Sequence, residues 1–232
     1  MKLLNDAELE RSWAVANSSM NRDRGLTGAN GYAKELVFSP LDILRQRLGA
    51  GAAASWLDLC CGNGRALHDA SSEFKREGVL HRVELLGVDL VRTSFPLPVA
   101  NTSIRLATAS LHQWEPRHPF DLITCVHGLH YLGDKLGLIA RVVRWLAPGG
   151  RFAAHLDLTN VCDTEGRAMN RALLKRFRDF GLTYDRRRRL LMVDGPQTID
   201  FGYGYLGADD EAGPNFTGQR AVNSHYGPRA PG

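Results

Sequence analysis

The sequence predicts an α/β fold: a doubly wound, mostly parallel sheet of seven strands, with a C-terminal antiparallel strand pair and a short N-terminal helical cap. Three observations lead there. Short apolar runs between residues 54 and 156 alternate with helix-like segments, the early ones at roughly 30-residue intervals, the length of a strand–helix–strand unit. Glycines follow the first run, where a strand must turn sharply into a helix. Near the end, Leu190-Leu191-Met192-Val193 and Ile199-Asp200-Phe201-Gly202-Tyr203 lie close together with Gly195-Pro196 between them. That spacing suits an antiparallel pair and is too short for a parallel crossover.

The elements follow in order. Val37, Leu41, Leu44 and Leu48 form a helical stripe. Ser39-Pro40 marks its start, with Pro40 at the first helical position and Val37 just ahead, packed beside the first turn. Gly25 to Gly31 is a loop by composition. Ala54-Ser55-Trp56-Leu57-Asp58-Leu59 reads as a buried first strand, and a helix runs from Arg65 to Lys75. Val83 to Asp89 is the second strand and Ile104 to Ala107 the third; Pro96 and Pro98 keep any helix between them short. Phe120 to Val126 is the fourth strand. Leu136 to Leu146 has helical spacing, Pro148-Gly149-Gly150 breaks it, and Arg151 to Leu156 is the fifth strand. A helix around Met169 to Phe180 precedes the final pair. From Gly207 the Gly, Pro, Asn and acidic content predicts loop or partial disorder. The division is a cap over 1–52, the main domain over 53–206 and a loop-rich tail of the same domain over 207–232.

At 232 residues the chain favours one domain. No run of 18 apolar residues predicts a membrane span, and residues 1–20 lack the apolar block of a signal peptide. A cytoplasmic protein is expected. Adjacent Cys60 and Cys61, with Cys125 and Cys162, suit reduced thiols better than a disulfide framework or a zinc site. A net charge of +4 does not argue for nucleic acid. The run Arg186-Arg187-Arg188-Arg189 reads as a solvated strand or turn, or alternatively as a phosphate-contacting patch.

Asp58-Leu59-Cys60-Cys61-Gly62-Asn63-Gly64 carries the functional argument. An acid at a strand end leads into a Gly-x-Gly turn and then a helix, whose free N–H groups form a site for a polar ligand. The acid suits a ligand with an ammonium group. Asp89 closes the second strand, where a nucleotide-binding sheet places the acid that grips ribose hydroxyls; the competing role is to cap the next helix. A dinucleotide fingerprint asks for a third small residue where Leu67 stands, and Asp58 would sit badly beside pyrophosphate.

Residues 53–158 resemble a class I S-adenosylmethionine (SAM)-dependent methyltransferase, a Rossmann-like domain of the small-molecule type. Leu57 to Gly64 is similar to the family's first motif, with Cys60 where a glycine often stands. Gly87-Val88-Asp89-Leu90 resembles the second. Ala107-Thr108-Ala109-Ser110-Leu111 aligns with the third, which commonly has an acid facing the adenine amine; here Ser110 stands in that place. Phe120-Asp121-Leu122-Ile123 through Leu129-His130-Tyr131-Leu132 resembles the fourth-strand motif, and Leu146 to Gly150 the turn before strand five. The resemblance implies that Asp58, Cys60, Gly62 and Gly64 border the methionine end of SAM. It places Asp89 and Leu90 at the ribose, and Ser110, Leu111 and Val126 around the rest of the cofactor. Asn30, Gly31 and Tyr32 resemble a cap segment, with Tyr32 covering the cofactor pocket or packing the cap on the sheet.

Methyl transfer needs an aligned acceptor and, where that acceptor is protonated, a base. The loop after strand four offers His127 and His130, which can equally be packing histidines. His112 and Trp114 are candidates to border the adenine or the acceptor. No metal site is expected: Asp157 and Asn160 offer too few oxygens for a hard cation, and 209–211 reads as a solvated acidic turn. No Asn-Pro-Pro-Tyr or Pro-Cys stretch of the nucleobase methylases is present. The expected activity is methyl transfer to a small metabolite, with no membrane partner and the oligomeric state open. The alternatives are an RNA or protein methyltransferase docking through 186–189, and a SAM-binding protein without transferase activity.

Overall fold

The computed structural model describes residues 2–16, 23–91, 104–216 and 218–229. The segment around Pro96 and Pro98, where any helix was expected to be short, lies outside them. In chain order the elements are α1 (Asp6–Glu10), α2 (Trp13–Ala16), α3 (Tyr32–Leu36), α4 (Pro40–Gly49), β1 (Ala54–Leu59), α5 (Arg65–Arg76), β2 (Val83–Asp89), β3 (Ile104–Thr108), β4 (Phe120–Cys125), α6 (Lys135–Val142), β5 (Leu146–His155), β6 (Val161–Cys162), α7 (Asn170–Asp179), β7 (Thr183–Asp185), β8 (Leu190–Asp194), β9 (Tyr203–Asp209) and β10 (Asn223–Pro228).

Seven strands form the main sheet in the order β3-β2-β1-β4-β5-β8-β7. The first five run parallel, and β8 and β7 close the edge antiparallel. This is a Rossmann-like, doubly wound arrangement. Strands buried on both faces are apolar throughout, which explains runs such as Trp56, Leu57 and Leu59 beside Leu122, Ile123 and Phe152. Chain order reverses at β1, with β2 on one side and β4 on the other, so a crevice opens above their carboxyl ends. The register sets Asp58 between Gly87 and Thr124 there.

Three expectations change. The partner of β8 is β7, upstream of it, and not the run 199–203. Ile199 and Phe201 are buried for another reason: Phe201 packs edge-on against Phe177 and Phe180 of and after α7, at 6.0 and 6.1 Å. Tyr203 instead begins β9 of a second sheet, ordered β6-β10-β9. The tail is thereby folded. Its β10 pairs with β9 and β6, and Lys135 of α6 holds the chain leading into it by donating to Val222 O and Ser224 Oγ, both at 2.7 Å. Lastly, Val37 does not pack beside α4. It ends α3 in the left-handed region at φ +60° and is 48% exposed, while Ser39 caps α4 and Leu44 and Leu48 face the sheet.

The first helices divide between two tasks. α4 packs on β1 and β4. Leu9 and Val15 of α1 and α2 join Tyr131, Ala208 and Val222 in a separate apolar cluster that ties the N-terminus to the second sheet. Among the described residues no helix is long and apolar enough to cross a membrane.

Candidate active site

A largely apolar cleft opens at the carboxyl ends of β1, β2 and β4. Cys60, Asp89, Leu90, Leu111, His112 and Gly128 line one part of it, and Leu9, Glu10 and Val15 of the N-terminal helices close the other. Of the residues the sequence assigned to a cofactor, Cys60, Asp89, Leu90 and Leu111 reach this cleft. Gly62 and Gly64 are not in its lining; they form the turn from β1 into α5 beside it. The Gly62 N–H donates to Asp89 Oδ2 at 2.9 Å, and Val91 N donates to Asp89 Oδ1 at 3.0 Å. Asp89 therefore organises two loops while presenting a carboxylate with lone pairs to spare. Gly64 stands at the N-cap of α5 with φ +70°, a conformation that costs most other residues strain.

Ser110 does not stand alone in place of the expected acid. Its Oγ donates to Glu10 Oε1 at 2.5 Å, so a carboxylate from α1 reaches the cleft beside the third-motif position. His112 pairs with Asp6 at 3.0 Å on the same helix. Trp114 turns away and packs edge-on against Trp145 at 5.9 Å.

Asp58 is placed differently from its expected contact with the ligand. It is fully buried, and both oxygens are taken: Tyr32 Oη donates to Oδ2 at 2.8 Å and Thr124 Oγ1 to Oδ1 at 2.6 Å. Trp56 Nε1 donates in turn to Thr124 at 2.8 Å. Burial, against the pull of these donors, raises the Asp58 pKa from 3.8 to about 7. Tyr32 packs edge-on to Trp56 at 5.9 Å and pins α3 over the end of β1. Val126 is buried in the apolar cluster that holds Tyr32.

The turn after β4 passes very close to the turn after β1. A Cβ on Gly128 would lie 2.4 Å from Cys60 Cβ, 2.6 Å from its Sγ and 2.8 Å from Cys125 Sγ. Gly128→Ala should thus destabilise the protein by about 1–3 kcal/mol, the usual range for overpacking. A thermal melt unchanged by the substitution would show that the two turns separate readily. Cys60 (φ +55°), His127 (φ +61°) and Arg189 (φ +53°) all adopt the left-handed region. Non-glycine residues held there are strained, and such strain gathers at functional sites.

His127 and His130, the two candidate bases, belong to a second group beside the cleft. His127 Nε2 lies 3.3 Å from Glu35 Oε2 of α3, and its ring stacks on His155, at the end of β5, at 4.2 Å and 11°. His155 Nε2 is 3.5 Å from the same carboxylate oxygen. His130 is 1% exposed, and neither of its nitrogens has a hydrogen-bond partner among the described residues. Burial first, then neighbouring His127, holds its pKa well below the usual histidine range. Phe216 packs on both rings, and the Arg189 guanidinium lies 4.0 Å over Phe216. The C-terminal segment thus roofs this chamber. Glu10, Glu35, His155 and Phe216 were not singled out in the sequence. The one legible signal was a histidine closing the fifth strand.

The arginine run forms the turn between β7 and β8. Asp185 Oδ1 accepts from the N–H groups of Arg187 and Arg188, and Arg188 pairs back to Asp185 at 3.1 Å.

A parallel sheet reversing at β1, a glycine-turned helix beside it and an acid closing β2 define the class I methyltransferases, which use SAM. Residues 32–196 match the family model described as a methyltransferase domain, and the chain belongs to that family. No curated protein matches significantly. Solved structures similar in fold include the N-methyltransferase NodS from Bradyrhizobium japonicum WM9 with S-adenosylhomocysteine (SAH), at 19% identity and TM-score 0.38, covering 76% of this chain and 97% of that one. Coclaurine N-methyltransferase bound to N-methylheliamine and SAH is similar at 15% identity and TM-score 0.43, covering 66% and 48%. The plantazolicin methyltransferase BpumL, with a monoazolic desmethyl-plantazolicin analogue and SAH, is similar at 16% and 0.38, covering 49% and 43%. The chain spans less than half the length of the first of the solved structures it matches.

Proposed function

We propose that this protein transfers the methyl group of SAM to a small-molecule acceptor. The observation that carries this reading is an apolar cleft with a carboxylate at each of two places, Asp89 on β2 and Glu10 on α1, next to a buried histidine chamber. An adenosyl group fits that lining. Leu90, Leu111 and Val15 offer apolar surface for a base, Asp89 suits ribose hydroxyls and Glu10 suits an exocyclic amine. Cys60, Gly62 and Gly64 shape the turn where the methionine end would lie. Asp58 serves that turn by holding Tyr32, and Val126 by packing beneath it. SAM supplies a methyl on a sulfonium, a strong electrophile, so the protein's part is to orient the acceptor and exclude water.

The acceptor side is the chamber of His127, His130, His155 and Glu35 under Phe216. The arginine turn gives the RNA or protein reading little support, since Arg188 is engaged with Asp185 and Arg189 with Phe216. Residues 53–206 carry the cofactor framework, with 1–52 as its cap and 207–232 as its closing segment.

Calorimetric titration with SAH tests the reading. Absence of any heat of binding would sink it. Glu10→Gln should weaken SAH by about 10-fold, the loss of one charge-assisted hydrogen bond. It should weaken S-inosylhomocysteine, which lacks the exocyclic amine, far less. Equal losses for the two ligands would remove Glu10 from the adenine end.

A further inference from the structure

We propose that Glu35, His127 and His155 bind one divalent transition-metal ion of the zinc or cobalt class. The three ligand atoms, one from each residue, lie within 4.8 Å of one another. Both Nε2 atoms already converge on one carboxylate oxygen, at 3.3 and 3.5 Å. The stacked rings direct these nitrogens to the same side. An ion drawn in between them would replace those contacts with bonds of about 2.0–2.2 Å.

The ligands come from three elements that cannot easily drift apart. Glu35 lies on α3, which Tyr32 ties to Asp58. His127 sits in the strained turn after β4, and His155 ends a strand paired on both sides. The other Glu35 oxygen, Oε1, accepts from Arg24 at 3.1 Å, an outer contact that orients the carboxylate while drawing off some of its charge.

The surroundings of the three ligands are themselves polar and short of partners. His155 is 2% exposed with Nδ1 unpartnered among the described residues, and His130, its ring 5.8 Å from His127, has both nitrogens unpartnered. Buried polar groups left without partners are costly; these nitrogens are not the atoms that would bind the ion, and they show a polar, unsatisfied surrounding rather than the ion itself. Two imidazole nitrogens and one carboxylate oxygen match open, three-ligand transition-metal sites. Magnesium and calcium want more oxygens. The expectation of no metal site weighed the cysteines, Asp157 with Asn160 and the acidic turn 209–211; Glu35, His127 and His155 meet only in the fold.

The ion site stands on these residues alone. Only its placement beside the acceptor rests on the function proposed above, where a bound ion would hold an acceptor oxygen or nitrogen. The test uses the full chain, free of any histidine tag and stripped with chelator, titrated with cobalt(II) and then zinc(II). The expected result is one equivalent of cobalt with visible d–d absorption, displaced by one equivalent of zinc. Glu35→Gln and His155→Asn should each weaken uptake more than about 100-fold, beyond the cost of an outer-contact change. SAH titration of the same variants checks their folding, since neither residue lines the cofactor cleft. Three outcomes overturn the site: no stoichiometric uptake, uptake unchanged in variants that still bind SAH, or a thiolate-to-cobalt charge-transfer band that assigns the ion to the cysteines. If the wild-type protein takes up cobalt but not SAH, the cofactor reading fails and the ion site survives.

Discussion

Asp58→Asn should change how stability depends on pH more than any other single substitution in the site. Measured by urea unfolding, the wild-type advantage over Asp58→Asn should shrink by roughly 4 kcal/mol at most between about pH 4 and pH 8. The sign follows from the buried environment. Burial holds the folded carboxyl at about 7 against an ordinary 3.8, so the native state favours the protonated form. Its contribution is complete below the ordinary value and is lost as pH rises through about 7. Tyr32 and Thr124 donate to the ionised form, and nearby Asp89 repels it, but burial outweighs the donors. Asn imitates the protonated carboxyl in shape and cannot ionise. His130 and His155, kept neutral by burial, work in the opposite direction at acid pH. They are common to both proteins and cancel in the difference. A difference that stays flat with pH would show that Asp58 ionises as though open to water, and the Tyr32 lock would then be looser than the structure describes.

Asp89→Ala should weaken SAH binding by roughly 30- to 150-fold, or 2–3 kcal/mol, as for the loss of hydrogen bonds to a charged group. Two losses combine. The carboxylate no longer meets the ligand, and Gly62 N and Val91 N lose the acceptor that fixes their loops. Asp89→Asn separates the two, because one amide oxygen keeps one loop contact while the negative charge is gone. Calorimetry on both variants is decisive: wild-type affinity in the alanine variant would remove Asp89 from the cofactor site.

Much of the frame was legible because it depends on local patterns. The apolar runs at β1, β2 and β4 each announce a strand buried on two faces, and Ser39-Pro40 announces a helix start; these formed within a residue of expectation, whereas β5 begins at Leu146, ahead of the expected Arg151, and runs through the Pro148-Gly149-Gly150 expected to precede it. The position of Asp89 was legible because it follows directly from the second strand's end; the structure puts it in the lining of the cleft. The run 199–203 misled because burial against a helix and burial within a sheet leave the same apolar trace. The tail misled because Gly, Pro and Asn mark turns without saying what lies between them, and β10 is held by Lys135 and by strands distant in sequence.

The sequence by itself determined the alternation of strand and helix, the glycine-turned first crossover and the acid on the second strand, since these arise from neighbours along the chain. The tertiary structure alone decided which carboxylate stands beside Ser110, what encloses Asp58, and that Glu35, His127 and His155 share one chamber. Residues 100, 26 or 92 positions apart meet there. Nothing in local propensity records such meetings, because they depend on how the sheet stacks its strands and where the cap and the closing segment come to rest.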